Sequence, residues 1–395
     1  DHKVIFSSTS DLGLYIEKSF TLPTFGFLID AEIQVTNLTA YSISFDSKIS
    51  FLEPVPEKSS GGFFSFMAPQ NTTSTMVNIL GKVDRTPISS IAPDASKQVD
   101  GIVSFAGIGD RYFANLILPK RTELKDATFK RDAASMLRMQ LSHVRKKVEA
   151  EKSVDIAFQV YSGPLEINYL SLGGAELEKA IDLGDWLGPI ARPMLKFMKM
   201  IYGTLGNYGI AIIILTILVK LLLFPLNQKQ YKSMKGMQAL QPELAKIKEK
   251  YKGNKERLNL EMMNLFKSNK VNPMSGCLPM LIQFPIFIAL YRVLYNAIEL
   301  RHAPFFLWIA DLSAPDPFYV SPVIMGATMF LQQQMMPMTT MDPAQAKMMK
   351  LMPVIFSVFM IMLPSGLVIY IFVNSLLSIL QQWIQTRSHK ERVEK

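Results

Sequence analysis

Two polar residues interrupt an otherwise apolar stretch at residues 210–226, and they are the first candidates for chemistry. The stretch reads IAIIILTILVKLLLFPL, and every position except Thr216 and Lys220 is apolar or proline. A charge at the centre of a membrane-spanning helix costs roughly 2.5–3.5 kcal/mol on insertion scales. The two residues are four positions apart, so they lie on the same face of a helix. The pattern predicts a polar stripe that binds an anionic group within the membrane.

A simpler alternative is that the Lys220 side chain extends to the inner membrane surface. The end of the stretch, Leu226, is roughly 9 Å further along a helix, and a lysine can span part of that distance. The other apolar segments favour binding, because they contain polar groups but no Asp or Glu to neutralise the charge. An unpaired cation in a helical bundle requires water or an anion from a ligand. The polar groups include Gln283, Gln333, Asn374 and Ser378, and the first three are predicted site residues.

Five apolar segments of membrane-spanning length must position these groups. The last two are separated only by Pro364 and Ser365, which predicts a tight helical hairpin. Lysine and arginine are concentrated between the first two segments and after the last, so the positive-inside rule places both regions in the cytoplasm. Residues 386–395 then form a basic cytoplasmic tail. The segments are predicted at 207–226, 276–297, 318–336, 348–363 and 366–385.

The basic loop at 228–270 has the periodicity of two amphipathic helices, with a turn predicted at YKGNKE, residues 251–256. We expect these helices to form a cytoplasmic hairpin. Its methionines are candidates for capturing apolar segments of a substrate, because methionine adapts its shape to varied partners. Its lysines suit lipid headgroups or, alternatively, RNA or an acidic partner. The candidate capture residues are Met234, Met237, Met262 and Met263.

Residues 1–175 alternate apolar and polar positions over short stretches, which predicts an antiparallel β-sandwich. Ile33 and Val35, for example, share one face of the stretch AEIQVTNL. The same alternation predicts strands at 41–45, 155–163 and 165–172. Five spans and a cytoplasmic C-terminus place this domain on the outer side of the membrane. Because the first residue is Asp1, we expect that an upstream signal or anchor has been removed.

The segment 176–206 differs in character from the regions on either side. Ile190, Met194, Phe197 and Ile201 recur at helical spacing, while Lys196 and Lys199 lie on another side. This pattern predicts an amphipathic helix in the membrane interface, with a plain linker helix as the alternative.

Motifs for catalysis are absent from the sequence. It contains no HExxH, Walker A or GxSxG motif and no pair of intramembrane aspartates, and its four histidines lie outside the predicted spans. The single cysteine, Cys277, excludes an intrachain disulfide. We therefore predict a protein that is not an enzyme, uses no cofactor or metal and does not bind DNA.

Long segments of the helical half resemble the YidC family of membrane protein insertases. They include ILVKLLLFPL, KVNPMSGCLPMLIQFPIFIALY, ELRHAPFFLWIADLSAPDP and PSGLVIYIFVNSLLSILQQ, which occur in this order across nearly all of 207–385. The stretch GDRYFANLILP resembles part of the periplasmic β-sandwich of Gram-negative members.

The resemblance implies an inner-membrane protein with five helices around a hydrophilic groove, a periplasmic N-terminal domain and a cytoplasmic C-terminus. Family members often have arginine at the position of Lys220. A lysine keeps the charge but lacks the planar guanidinium that binds a carboxylate through two hydrogen bonds. The resemblance also assigns Thr216, Gln283 and Tyr370 to the groove. The implied partners are nascent membrane proteins, the lipid bilayer, the Sec translocon and the ribosome.

We therefore expect a membrane protein insertase. The cytoplasmic hairpin would receive a nascent chain, the groove would hold its polar or acidic segment, and the apolar segment would leave sideways into lipid. Two alternatives remain from the sequence: a transporter or channel for an anionic solute, and a membrane anchor for a carbohydrate-binding sandwich.

Overall fold

The computed structural model describes residues 2–54, 73–120, 124–132, 136–143, 146–174, 176–184, 186–269, 271, 278–335 and 343–393. The chain divides into two compact units. The sheet unit comprises Asp1–Asp185 and Asn296–Glu299, and the helical unit comprises Trp186–Tyr295 and Leu300–Lys395.

Thirteen strands are present in the described part of the sheet unit, and every pairing between them is antiparallel. The antiparallel sheet domain predicted from the alternation is therefore confirmed. The strands are β1 (His2–Thr9), β2 (Leu14–Leu22), β3 (Leu28–Asn37), β4 (Ile43–Phe45), β5 (Lys48–Pro54), β6 (Ser74–Ile79), β7 (Lys82–Pro87), β8 (Ser96–Gly109), β9 (Phe113–Pro119), β10 (Leu124–Arg131), β11 (Met136–His143), β12 (Lys146–Val148) and β13 (Ser153–Pro164).

Strand β8 joins two parts of the main sheet, whose order is β1-β2-β3-β13-β9-β8-β10-β11-β5. Its first half pairs with β10, and its second half pairs with β6 and β9. Gly101 lies at the change of partner with φ +140°, a backbone conformation that side-chain-bearing residues rarely adopt. Phe129 and Leu141 from one part and Ile117 and Ile156 from the other meet in a single hydrophobic core.

The strand predicted at 165–172 is wrong, because these residues include the short helix α1 (Ile167–Ser171). Strand β13 ends at Pro164, which lacks the N–H needed to continue a ladder. The two buried residues of α1, Ile167 and Leu170, are three positions apart and lie on one helical face. A short apolar run fits both the two-residue period of a strand and the 3.6-residue period of a helix, so it does not distinguish the two.

Residues 176–183 also pack within the sheet unit rather than forming part of an interfacial helix. Asn78 of β6 donates a hydrogen bond to the Glu176 carboxylate over 2.9 Å, and the Arg85 guanidinium donates to the carbonyl oxygen of Ala180 over 3.2 Å. The sheet unit therefore continues beyond residue 175, and the amphipathic helix begins later, at Gly188.

Eight longer helices form the described part of the helical unit, and they overlap all five predicted apolar segments. The helices are α2 (Gly188–Leu205), α3 (Tyr208–Ala239), α4 (Gln241–Lys250), α5 (Lys255–Ser268), α6 (Leu278–Asn296), α7 (Val320–Gln334), α8 (Pro343–Met360) and α9 (Ser365–Val393). Helix α3 packs against α2 and α9, and α7 packs against α8 and α9.

Two helical segments in the described ranges are long and apolar enough to cross a membrane, Tyr208–Gln228 in α3 and Ser365–Thr386 in α9. The apolar part of α8, Lys350–Met360, is shorter. The structure therefore confirms a C-terminal helical region, and the prediction of five spans stays a prediction.

Helix α2 lies within the segment predicted to be an interfacial helix, and one of its faces is buried. Met194 and Ile201 are buried, whereas Ile190 is exposed and Phe197 is partly buried. Ala191, Leu195 and Met198 complete the buried face. Packing against α3 covers part of the apolar surface of α2, and the placement of this helix in the membrane interface stays a prediction.

Candidate functional site

The Lys220 side chain contacts helix α9 directly. Its ammonium Nζ donates a hydrogen bond to the hydroxyl Oγ of Ser378 over 2.8 Å. The Ser378 hydroxyl in turn donates to the backbone carbonyl of Asn374, also over 2.8 Å. A neutral hydroxyl satisfies one of the three ammonium donors but does not neutralise its charge. The site therefore presents a positive charge that is held at the interface of α3 and α9.

A polar stripe on α9 runs past this contact. Tyr370, Asn374 and Ser378 follow one another at intervals of four residues, so they lie along one helical face over about 12 Å. Tyr370 is fully buried, whereas Asn374 and Ser378 are partly buried. The stripe thus passes from the packed interior of the unit toward its accessible surface.

Helix α6 contributes to the same stripe through Gln283. The side-chain amide of Gln283 donates a hydrogen bond to the Tyr370 hydroxyl. Two of the three residues that the family resemblance assigned to the groove are therefore in contact, and their bond ties α6 to α9. Gln283 is partly buried, so the pair lies at the boundary of the packed interior.

Thr216 occupies a more enclosed position than a groove-lining residue requires. Only 1% of its surface is exposed, and its hydroxyl donates to the carbonyl of Ile212 on the same helix over 2.6 Å. Threonine hydroxyls commonly make this bond four residues back. Thr216 shares the face of Lys220, but in this structure its donor is used within α3.

The opposite side of this region is apolar and exposed. On α3, Leu221 and Leu222 are exposed by 64% and 70%, and on α9 Leu376 and Leu380 are also exposed. Leucine side chains at these positions suit contact with lipid tails. Lys220 therefore lies between a buried polar side and an apolar outer side of the helix pair.

Gln333 lies on α7, whereas the other predicted groove residues lie on α3, α6 and α9. It is a partly buried residue in the last turn of α7, which packs against α8 and α9. Its role as a site residue stays a prediction.

The loop before α7 fixes the start of α9. The backbone N–H groups of Ser365 and Gly366 donate to the carbonyls of Ala314 and Leu312, at 2.8 and 3.0 Å. The Ser365 hydroxyl donates to the carbonyl of Asp311 over 2.9 Å. The first N–H groups of a helix lack partners within the helix, so this loop acts as a cap. It sets the position from which the polar stripe of α9 begins.

Asp316 holds the same loop against α7. Its carboxylate is 1% exposed and accepts hydrogen bonds from the Trp308 indole and from the backbone N–H groups of Phe318 and Ser321, at 3.1, 2.9 and 2.7 Å. Burial raises the pKa of the Asp316 carboxyl, but the bonds from Ser321, Phe318 and Trp308 outweigh burial and lower the pKa below its ordinary value. The buried carboxylate is therefore stabilised in its charged form.

The hairpin predicted at 228–270 corresponds to α4 and α5 only from Gln241 onward, because α3 continues without a break to Ala239. Pro242 lies in the first turn of α4, where a proline is tolerated, and Asn254 caps α5 by accepting a hydrogen bond from Arg257 N–H at 3.0 Å. The end of α3 contributes to a small core with Leu244 and Phe266 at its centre.

The candidate capture methionines occupy different environments. Met237 is 8% exposed and packs in the hairpin core with Leu240, so its burial is at odds with direct contact to a substrate. Met262 is partly buried against this core. Met263 is 58% exposed, and among the candidates whose side chains are described its surroundings suit capture best. The side chain of Met234 lies outside the described residues.

Ser378 and Asp316 are the residues that sequence reasoning undervalued. The spacing of Tyr370, Asn374 and Ser378 at four-residue intervals was a signal for Ser378, since such residues share a helix face. For Asp316 the local signal was its place before Pro317, since Asp-Pro favours a turn, and its backbone donors Phe318 and Ser321 lie two and five residues further on. Among the described residues, no group of three or more His, Cys, Asp or Glu could hold a metal ion.

Both halves of the chain match known families. Residues 200–392 match the family described as 60Kd inner membrane protein, and residues 1–197 match the YidC periplasmic domain. Together the two matches cover nearly the whole chain.

Several relatives carry the name membrane protein insertase YidC. The one from Syntrophus aciditrophicus (strain SB) is 41% identical over 96% of this chain and 68% of its own length. The one from Geobacter sp. (strain M21) is 39% identical over 95% of this chain and 68% of its own length. That from Nitratidesulfovibrio vulgaris (strain DP4) is 48% identical over 72% of this chain and 54% of its own length.

A solved structure described as an active YidC insertase with the first transmembrane domain resolved is also similar. It is 21% identical, with a TM-score of 0.44, and the similarity covers 97% of this chain and 75% of that one.

Proposed function

Because this chain belongs to the YidC family of inner-membrane insertases, we propose that it holds the polar segments of nascent membrane proteins at a groove between α3 and α9. Its relatives are membrane protein insertases, and the protein is accordingly an insertase rather than an enzyme. Its partners are nascent membrane proteins and the lipid bilayer. The position and chemistry of the groove are the proposal.

The observation that carries the proposal is the contact between Lys220 and Ser378. The Lys220 ammonium lies between α3 and α9, bonded to a hydroxyl that in turn donates to the backbone carbonyl of Asn374, and exposed leucines are close by. Moving a polar or acidic segment into a bilayer is costly because its groups lose water. A positive charge and hydrogen-bonding groups between α3 and α9 lower that cost. The neighbouring apolar surface then offers the client a route into lipid.

The finer architecture belongs to the same proposal. We take the sheet unit to be a periplasmic sandwich, α3, α6, α7, α8 and α9 to be the five spans, and the C-terminus to be cytoplasmic. Helix α6 supports this because its 19 residues, LPMLIQFPIFIALYRVLYN, would reach about 28 Å and contain a single charge. The interruption between α8 and α9, residues 361–364, supports a tight turn between the last two spans.

The hairpin of α4 and α5 is the proposed entry point. It combines a basic surface with the exposed Met263, a combination that suits a nascent chain delivered near anionic lipid or RNA. Contacts with the ribosome and the Sec translocon are proposed on this basis and on the family relationship.

Site-specific crosslinking tests the proposal. A photoreactive residue at Asn374 is expected to crosslink a ribosome-stalled client whose acidic segment has entered the membrane. Val323, which is 63% exposed on α7, is the matched control and is expected to crosslink weakly. The Asn374 signal should fall in a Lys220→Glu background. Equal crosslinking from the two positions, or a signal that ignores Lys220, would contradict a groove at α3 and α9.

A further inference from the structure

We propose that Ser378 is a positioning residue that holds the Lys220 ammonium in the client-free protein, and that a client carboxylate replaces its hydroxyl when the client binds. This inference rests on the proposed function, since it explains how the groove distinguishes acidic clients. It assigns to Ser378 a role in specificity that does not follow from family membership.

The first step is the direction of the hydrogen bonds. The Ser378 hydroxyl has one proton, and it donates this proton to the carbonyl of Asn374 over 2.8 Å. Its lone pairs are therefore the groups that face the Lys220 Nζ, which lies 2.8 Å away. The geometry makes Ser378 a pure acceptor toward the ammonium and fixes where the charge lies relative to α9.

The second step concerns charge. The sequences of α3, α6, α7 and α8, and α9 as far as Thr386, contain no Asp or Glu. Ser378 thus provides the kind of partner that satisfies a donor without cancelling the charge. A carboxylate that binds the ammonium adds the Coulomb attraction between opposite charges, which a neutral hydroxyl does not provide. A client carboxylate is therefore able to displace the hydroxyl, whereas a neutral client segment gains much less.

The third step is access. Lys220 is partly exposed, and its chain neighbour Leu221 is exposed by 64%. The deeper part of the interface is closed, since Thr216 and Ser375 are 1% and 3% exposed. A client that approaches along the exposed leucines can reach the ammonium without opening the packed interior. The displacement then requires movement of one side chain rather than separation of two helices.

Ser378→Asp and Ser378→Asn form the central test, because the two side chains have nearly the same shape and differ in charge. The full chain is reconstituted in liposomes with two clients that differ only in Asp or Asn residues of the translocated segment. The Asp variant supplies a permanent internal carboxylate beside Lys220. We expect it to lower the ratio of acidic to neutral client insertion at least about tenfold, while the Asn variant keeps the wild-type ratio.

The outcomes separate the inference from the proposed function. If both variants change the two clients by the same factor, Ser378 is merely structural and the inference is overturned. If wild-type protein inserts neither client better than empty liposomes do, the proposed function fails instead. If wild-type protein inserts both clients but Lys220→Met leaves the ratio unchanged, the charge has no role and the inference also fails.

A swapped pair keeps the test decisive if Ser378→Asp does not fold. Lys220→Ser alone should reduce insertion of the acidic client at least about tenfold. Combining it with Ser378→Lys returns a lysine and a hydroxyl to the same interface from opposite helices. We expect the double variant to recover insertion to within about threefold of wild type. A folded double variant that remains as inactive as Lys220→Ser would overturn the inference.

Discussion

Lys220 on α3 and Ser378 on α9 are joined by a 2.8 Å hydrogen bond, although 158 positions separate them in the chain. The contact gives the lysine a defined place on a neighbouring helix instead of a free path to the membrane surface. Its charge stays available because the partner is neutral.

The charge of Lys220 should govern insertion of clients with acidic segments. Lys220→Arg keeps the charge and should retain at least about a third of wild-type insertion, whereas Lys220→Glu should reduce it at least about tenfold. Two like charges at 4 Å repel by about 4 kcal/mol at an effective dielectric constant of 20, which is ample for such a loss. Protease protection of a labelled client in proteoliposomes measures the effect. Full activity of the Glu variant would rule out an electrostatic role.

The bond between Gln283 and Tyr370 should stabilise the packing of α6 on α9. Tyr370→Phe removes the hydroxyl and leaves the Gln283 amide without this acceptor. We expect the free energy of unfolding in detergent to fall by about 0.5–2 kcal/mol, as for other interhelical bonds in membranes. Tyr319→Phe, on an exposed ring, is the control and should change it by less than about 0.5 kcal/mol. Equal effects would mean that the bond contributes nothing.

Close packing at the start of α3 should make Gly209 sensitive to substitution. A Cβ at Gly209 would lie 1.9 Å from a ring carbon of Phe305, so Gly209→Ala must displace that ring. The expected loss is about 1–3 kcal/mol in the free energy of unfolding. At Gly203, on α2, a Cβ meets nothing within 4 Å, so Gly203→Ala should stabilise by up to about 1 kcal/mol. If both variants have a lower melting temperature than wild type, or both a higher one, this packing is contradicted.

Asp316 should make the stability of the helical unit depend on pH in the acid range. Because the folded-state pKa is lowered, the carboxylate contributes stability above its unfolded pKa of about 3.9, and this contribution is lost as the pH falls through the folded pKa. Asp316→Asn should cost about 1–3 kcal/mol at pH 7, since it weakens hydrogen bonds to a charged group.

Melting temperatures of wild-type protein and Asp316→Asn at pH 7 and near pH 3 would measure this effect. The difference in melting temperature between the two proteins should be smaller at the lower pH. If the difference in melting temperature is the same at both pH values, the charged form of Asp316 is not the stabilising species.

Substitutions in the hairpin of α4 and α5 should affect either its folding or its capture of substrate, depending on whether the residue is buried or exposed. Leu244 is 1% exposed in the hairpin core, so Leu244→Ala should destabilise the hairpin by about 2–4 kcal/mol and increase amide exchange in α4 and α5. Met263→Ser, at an exposed position, should leave amide exchange nearly unchanged but weaken crosslinking of an apolar nascent segment. If the Met263 variant captures clients as well as wild type, capture does not use this surface.

Local patterns were sufficient for much of the architecture. Alternation in segments such as 31–38 predicted strands that became β3, and long apolar runs predicted the positions of α3 and α9. The hairpin turn and the restart of the helix at Pro242 also follow from local rules, since proline and asparagine have fixed preferences at helix starts. The run 165–172 failed because eight residues carry too few periods to separate strand from helix.

In the candidate site, too, some features follow from the local sequence and others only from tertiary packing. The sequence by itself determined that a lysine lies within an apolar helix, that Thr216 shares its face, and that the other apolar segments contain no acidic partner, because helical spacing and residue type are local properties. Only the tertiary structure decided that Ser378 accepts a hydrogen bond from the ammonium, that Gln283 binds Tyr370, and that Met237 is buried. These depend on which helix faces meet, and the free energy of that packing is set by contacts between segments far apart in the chain.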